Sequence, residues 1–194
     1  MTRLKTNPMK LTGPWAEGYV LDYHSLSATP TGDPYHPFEM TYTEVGGRLY
    51  RFKYRNDLTV VDDILETAED FLTTKGWRPA IECIVPAPPS IDRGSQPVVL
   101  LARGLAERLG VPVFIDAVQK VEKTPSMKNI DDWYERQRIL SKAVQAGKDN
   151  VAGKSILLMD DLIQSGSTLR RTGEVLLNDG KAKGIYALVL TRTR

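Results

Sequence analysis

The stretch ILLMDDLIQSGSTL, residues 156–169, decides the reading of this 194-residue chain. Ile156 to Met159 are four consecutive apolar residues, as expected of a central strand buried on both faces. Asp160 and Asp161 follow where that strand is expected to leave the sheet. Two adjacent like charges are costly to bury unless they bind something: vicinal hydroxyls, a metal or backbone amides. The run Gln164, Ser165, Gly166, Ser167, Thr168 then leads into a helix expected from Thr168 to Asn178. Gly166 permits close backbone approach, the three hydroxyls are donors, and a helix N-terminus adds free N–H groups and the positive end of its dipole. One loop thus offers acceptors for hydroxyls and donors for a phosphate, the layout of a ribose 5-phosphate. The plain alternative is a turn in which Ser165 or Ser167 only caps a helix.

The surrounding pattern predicts an α/β fold with a mainly parallel central sheet flanked by helices. Leu58, Val61, Ile64, Leu65, Ala68, Phe71 and Leu72 recur at helical spacing, closed by Lys75 and Gly76. A strand is expected within 80–88, a helix from Ser95 to Leu109, and a strand in VPVFIDAV, residues 111–118. The segment 131–146 reads as an amphipathic helix or a long excursion, and residues 184–192 as the last strand. Ligands of such sheets gather at the carboxyl ends of the strands, where Asp160 and Asp161 stand.

Residues 1–46 are rich in Pro, Gly, Thr and aromatics, and are expected to form a small irregular N-terminal hood before a main domain spanning 47–194. Its aromatics, Trp15, Tyr19, Tyr23, Tyr35 and Phe38, either contact an acceptor or cover the sheet. In residues 50–55, aromatic and basic residues alternate; a strand with one aromatic and one basic face is preferred there over nucleic-acid binding. His24 and His36 lack metal-ligand spacing and read as loop residues.

The formal net charge of +2 implies no strong polyanion partner. The single cysteine, Cys83, excludes an internal disulfide framework, argues against structural zinc, and weakly favours a reducing, cytoplasmic compartment. No apolar run is long enough to span a bilayer, and no secretory signal is visible. AGKS, residues 152–155, is not a phosphate-binding P-loop: Lys148 stands where the leading glycine belongs, and the segment precedes a strand.

The stretch 156–169 resembles the phosphoribosyl pyrophosphate (PRPP) loop of type I phosphoribosyltransferases. The span from Arg51 onward resembles their ComF-type, competence-associated branch: Lys53-Tyr54-Arg55, the loop Val85-Pro86-Ala87-Pro88, and a helix ending in Leu105-Ala106 and Leu109-Gly110. The resemblance implies PRPP with Mg²⁺ as ligand. Asp160 and Asp161 would take the ribose hydroxyls in the catalytic centre, and Gln164, Ser165, Gly166, Ser167 and Thr168 the 5-phosphate. Gln164 stands where a Thr or Ser is usual. Ala87, Pro88, Pro89, Ser90 and Arg93 would form the pyrophosphate loop, though without the usual run of arginines. Lys120, Lys123 and Lys128 are candidates on a mobile loop. No protein residue is assigned as a metal ligand, and the four-cysteine zinc module of many relatives is absent. The resemblance admits a homodimer, transfer of phosphoribosyl to an unidentified acceptor, and, alternatively, a catalytically silent PRPP sensor associated with DNA uptake or repair. The apolar runs and the net charge lead to an expectation of no membrane and no direct nucleic-acid partner.

Overall fold

The computed structural model describes residues 2–88, 96–120 and 143–194. Its centre is a five-stranded sheet in the order β1 (Met9–Lys10), β2 (Glu17–Tyr23), β9 (Gly184–Arg192), β8 (Ser155–Ile163), β5 (Cys83–Pro86). β2, β9, β8 and β5 run parallel; β1 is an antiparallel edge. This is the mainly parallel α/β sheet that the apolar runs predict.

Residue alternation in β8 divides the core. Leu157 and Met159, with Leu188 and Leu190 of β9, pack under three helices: α1 (Glu44–Arg55), α2 (Val61–Thr74) and α3 (Pro97–Leu109). Ile156 and Leu158, with Ile185 and Val189, face α4 (Ser167–Asn178) through Leu169, Val175 and Leu176. The same second face receives Val118 and Val144 from a separate ribbon of β6 (Val118–Lys120) and β7 (Val144–Ala146).

α2 buries Ile64, Leu65, Ala68, Phe71 and Leu72, as their spacing predicts. It begins at Val61, not Leu58: residues 58–60 form a 3₁₀ turn that Asp57 caps, and Leu58 is exposed. α3 begins at Pro97, which suits the first helical turn because it has no N–H to satisfy.

Four expectations need correction. Residues 50–55 belong to helix α1, not a strand. Val45, Leu49 and Phe52 are buried at helical spacing, and the Thr43 hydroxyl caps the start by accepting from Gly46 N–H. Residues 111–118 form no continuous strand. Only Val113 bridges to Ile84, with hydrogen bonds from Ile84 N–H to Pro112 and from Phe114 N–H to Ile84. Val144–Ala146 is strand, not helix, because it pairs with β6.

The fourth concerns residues 1–46, expected to be irregular. They contain four strands. β2 lies inside the central sheet along β9, while β3 (Ser25–Pro30) and β4 (Phe38–Tyr42) form a hairpin outside it. The division drawn at 46/47 falls within the first turn of α1. Tyr19 packs with Phe71 and Trp77 in the core, and Trp15 is half-buried against Gly173, so these two aromatics cover the sheet. Tyr35 and Phe38 stand exposed on the hairpin.

Candidate functional site at the carboxyl end of the sheet

β8 does not end at its aspartates. It continues through Ile163, with Asp160 paired to Val189, Leu162 to Thr191 and Ile163 to Arg192. The nine-residue partner β9 carries the pairing past the charges, so both acids are strand residues and their side chains point to opposite faces. Asp160 shares the face of α4, and Asp161 that of α1.

The two carboxylates are satisfied differently. Asp161 is buried, and its Oδ2 lies 2.8 Å from Lys53 Nζ of α1; the two side chains are 12% and 13% exposed. Asp160 is half-buried and accepts the backbone N–H groups of Asp161, at 2.8 Å, and of Leu162. Burial, then the neighbouring Asp161, pushes the Asp160 carboxyl up to about 8; its backbone donors and Lys53 pull the other way.

A second chain of polar groups reaches Asp161 through its backbone. Thr191 Oγ1 donates to the Asp161 carbonyl at 3.2 Å and lies 3.2 Å from His24 Nδ1. The hydroxyl has one proton and spends it on the carbonyl, so toward His24 it accepts, and Nδ1 is the protonated ring nitrogen. Burial lowers the His24 pKa, Lys53 lowers it further, and Asp161 opposes both; the ring is neutral at pH 7. Its edge meets Tyr42, which stacks on Tyr50 at 4.8 Å; Tyr54 continues the row at 5.2 Å.

After β8 the loop turns through Gly166, which has φ of +73° and is the N-cap of α4. Gly166 has no side chain with which to cap the helix; Ser165 Oγ accepts the Ser167 N–H at 3.4 Å, and the other amides of the first turn are donors without an intrahelical acceptor. Ser165 and Ser167 place their hydroxyl oxygens 3.0 Å apart beside them. Gln164 and Ser165 are exposed, Ser167 and Thr168 half-buried. One short loop therefore holds a carboxylate, hydroxyls and helix-start amides at the carboxyl end of a central strand, an arrangement suited to a phosphorylated polyol.

Ala87 and Pro88 close β5 next to this point, with Ala87 N–H donating to the Met159 carbonyl at 2.8 Å. Both are buried, so from these two residues it is backbone that frames the site. Pro89, Ser90 and Arg93 lie outside the described residues, as do Lys123 and Lys128. Lys120 ends β6 opposite Val144, at the root of the segment 121–142, and its pKa is lowered by burial.

Sequence reasoning placed Lys53 on a strand and His24 in a loop, and assigned nothing to Thr191. The helical spacing of Val45, Leu49 and Phe52 carried the signal for Lys53, since it puts residue 53 one turn beyond Leu49. No such signal existed for His24 and Thr191, whose meeting depends on β2 lying beside β9. Among the described residues, no three His, Cys, Asp or Glu side chains gather as a metal cage, and no helix is long and apolar enough to cross a membrane.

Residues 90–194 match the family described as phosphoribosyl transferase domain. Competence protein ComFC of Bacillus subtilis (strain 168) is 30% identical over 148 residues, covering 75% of this chain and 58% of that protein. The chain thus spans less than two thirds of that relative's length. Among solved structures, adenine phosphoribosyltransferase from Saccharomyces cerevisiae aligns over 86% of this chain and 84% of its own, at 16% identity and a TM-score of 0.48. Orotate phosphoribosyltransferase from Aeropyrum pernix aligns over 86% and 73%, at 17% identity and a TM-score of 0.43.

Proposed function

The chain belongs to the phosphoribosyl transferase domain family, and from that premise we propose that its β8–α4 loop binds PRPP, or another ligand carrying a ribose 5-phosphate group. The observation that carries the reading is the N-terminus of α4, entered through Gly166 in the left-handed conformation a few residues after Asp160, with Ser165 Oγ on the Ser167 N–H and the rest of the first turn's amides without intrahelical acceptors. In this reading the amides of the first α4 turn and the hydroxyls of Ser165, Ser167 and Thr168 hold the 5-phosphate, with Gln164 supplying backbone. The acidic pair serves the ribose hydroxyls, Asp160 foremost because among the described residues its side chain has only backbone partners.

In a transfer reaction, the bond from the anomeric carbon to the pyrophosphate oxygen breaks as an acceptor nucleophile bonds to that carbon. Positive charge grows on the ribose ring at the transition state. The Asp160 carboxylate orients the ring by its hydroxyls, and Asp160 and Asp161 together place negative charge near that developing cation. Ala87, Pro88, Pro89, Ser90 and Arg93 are proposed for the departing diphosphate, with Lys120, Lys123 and Lys128 as further cationic candidates. Mg²⁺ fits as part of the substrate. Such an ion takes few protein carboxylates when phosphates and water complete its shell, and Asp160 is the carboxylate that would serve it. When bound, the ion supplies charge neutralisation of the leaving group.

The name of the Bacillus relative supports a second reading, in which a PRPP site is kept without transfer in a protein serving competence. Calorimetry with PRPP and Mg²⁺ tests what the two share. The wild type is expected to bind, and the Asp160→Asn/Asp161→Asn double variant to bind at least about tenfold more weakly; equal affinities would remove the site assignment. Pyrophosphate release across a panel of nucleobases and amines then separates them. Release with one acceptor supports transfer, and silence across the panel supports the sensor.

A further inference from the structure

α1 delivers one cationic side chain into the carboxyl end of the sheet. Its seat on β2 is rigid. The Thr43 hydroxyl donates to the Tyr23 carbonyl at 2.6 Å while capping the helix, and Gly46 lies directly against the backbone of His24. From that seat Lys53 reaches Asp161 at 2.8 Å, and the two side chains are only 13% and 12% exposed. Such a pair differs from a surface ion pair: removing either partner strands a charge with little water to solvate it.

Asp161 and Asp160 are consecutive, yet their side chains leave the strand on opposite faces, and among the described residues only Asp161 has a side-chain cation as its ion-pair partner. We infer that Lys53 is a positioning residue for the acidic pair: it pins Asp161 to α1 and so leaves Asp160 as the carboxylate presented to sugar hydroxyls. The inference rests on the phosphoribosyl reading of the β8–α4 loop and adds to it a division of labour between the two acids. Without Lys53, the Asp161 charge is uncompensated, which makes a second carboxylate beside it at Asp160 costlier. Without Asp161, the Lys53 ammonium has no carboxylate on its own face of the strand, and its charge acts through space on Asp160 alone, against the ligand. Loss of both removes the free charge in either sense.

A double-mutant cycle tests this with two probes, ribose 5-phosphate and inorganic phosphate, each titrated calorimetrically into full-length protein. Lys53→Met and Asp161→Asn are each expected to weaken ribose 5-phosphate about tenfold, and the Lys53→Met/Asp161→Asn double variant to recover most of that loss. Inorganic phosphate, which needs only the loop amides and hydroxyls, is expected to change less than about twofold throughout. The inference is overturned if the double variant is as weak as Lys53→Met or weaker, because Lys53 would then touch the ligand itself. It is also overturned if phosphate affinity falls in parallel, or if Lys53→Met binds sugar as the wild type does. Should Lys53→Met fail to fold, the double variant, which has no stranded charge, decides alone against the wild type. Asp160→Asn separates the two layers. If it leaves ribose 5-phosphate affinity unchanged, the site reading itself fails; if it abolishes binding while Lys53→Met has no effect, only the role of Lys53 does.

Discussion

Gly46, in the first turn of α1, lies so close to His24 that a β-carbon there would overlap the His24 carbonyl oxygen. The neighbour is backbone at the end of β2, which cannot rotate away as a flexible side chain could. Gly46→Ala therefore has to lift α1 or bend the strand end. The expected cost is about 1–3 kcal/mol, in the range of overpacked core sites, read as a lower midpoint in urea unfolding. Gly47→Ala is the control: its β-carbon would meet only Tyr42 Cβ at an ordinary 3.6 Å, so that substitution should be neutral or stabilising by up to about 1 kcal/mol through helix propensity. Equal effects at the two positions would show that α1 is not seated as described.

Gly166 poses a different demand, on conformation. Its φ of +73° is in the left-handed region, where a β-carbon costs about 1 kcal/mol. Gly166→Ala is expected to lower stability by that amount and to weaken PRPP and inorganic phosphate by about tenfold, because the turn aims the α4 amides. Gly153 has φ of +72° with open space around it and precedes β8 at the opposite end of that strand. Gly153→Ala should match the stability loss and leave phosphate affinity untouched. Equal loss of affinity in both variants would mean that the loop geometry does not matter to the ligand.

The parts of this fold that were legible in the sequence are those whose burial follows a local period. β8, β9 and α2 could be read because their apolar residues repeat within a few positions. α1 could not, because Tyr50, Phe52 and Tyr54 alternate with Arg51, Lys53 and Arg55 and imitate a strand, while the decisive set, Val45, Leu49 and Phe52, starts before the alternation. The Asp160–Asp161 pair announced a ligand site, but the continuation of β8 beyond it depends on the length of β9. The site's second layer is non-local altogether. His24, Lys53 and Thr191 come from three distant parts of the chain and meet only because β2 inserts beside β9 and α1 folds back over both.

Cys83 shows what burial does to a group that has no site to serve. It lies in β5 with no exposed surface, and burial pushes its thiol up to about 11, with Lys154 pulling the other way. Reaction with maleimide or iodoacetamide needs the thiolate and access to it. In native protein at pH 8, Cys83 should stay unmodified over hours by mass spectrometry, and react within minutes in denaturant. Rapid labelling of the native protein would show that β5 opens or that the edge beyond it is not covered by residues 111–114.

The most direct electrostatic test lies at Asp160. In the unfolded chain its carboxyl has the ordinary value of 3.8, and in the fold it is raised to about 8. Between those values the folded protein keeps a proton that the unfolded chain has released. The contribution of Asp160 to stability is therefore full below pH 4 and is lost as the pH rises through 8. Asp160→Asn removes that dependence. The variant should lie close to wild type at pH 4 and be the more stable of the two at pH 8, by on the order of 1–2 kcal/mol once partial exposure is allowed for. Parallel urea-unfolding stabilities of the two proteins between pH 4 and 8 would contradict the raised value. The same proton links to ligand binding. Sugar hydroxyls donate to a carboxylate, so binding at pH 7 should expel the Asp160 proton. Titrations of ribose 5-phosphate in two buffers of different ionisation enthalpy should then give different apparent heats with the wild type, and a smaller difference with Asp160→Asn. The group that costs the empty fold stability at neutral pH is in this way the one whose ionisation the ligand would draw out.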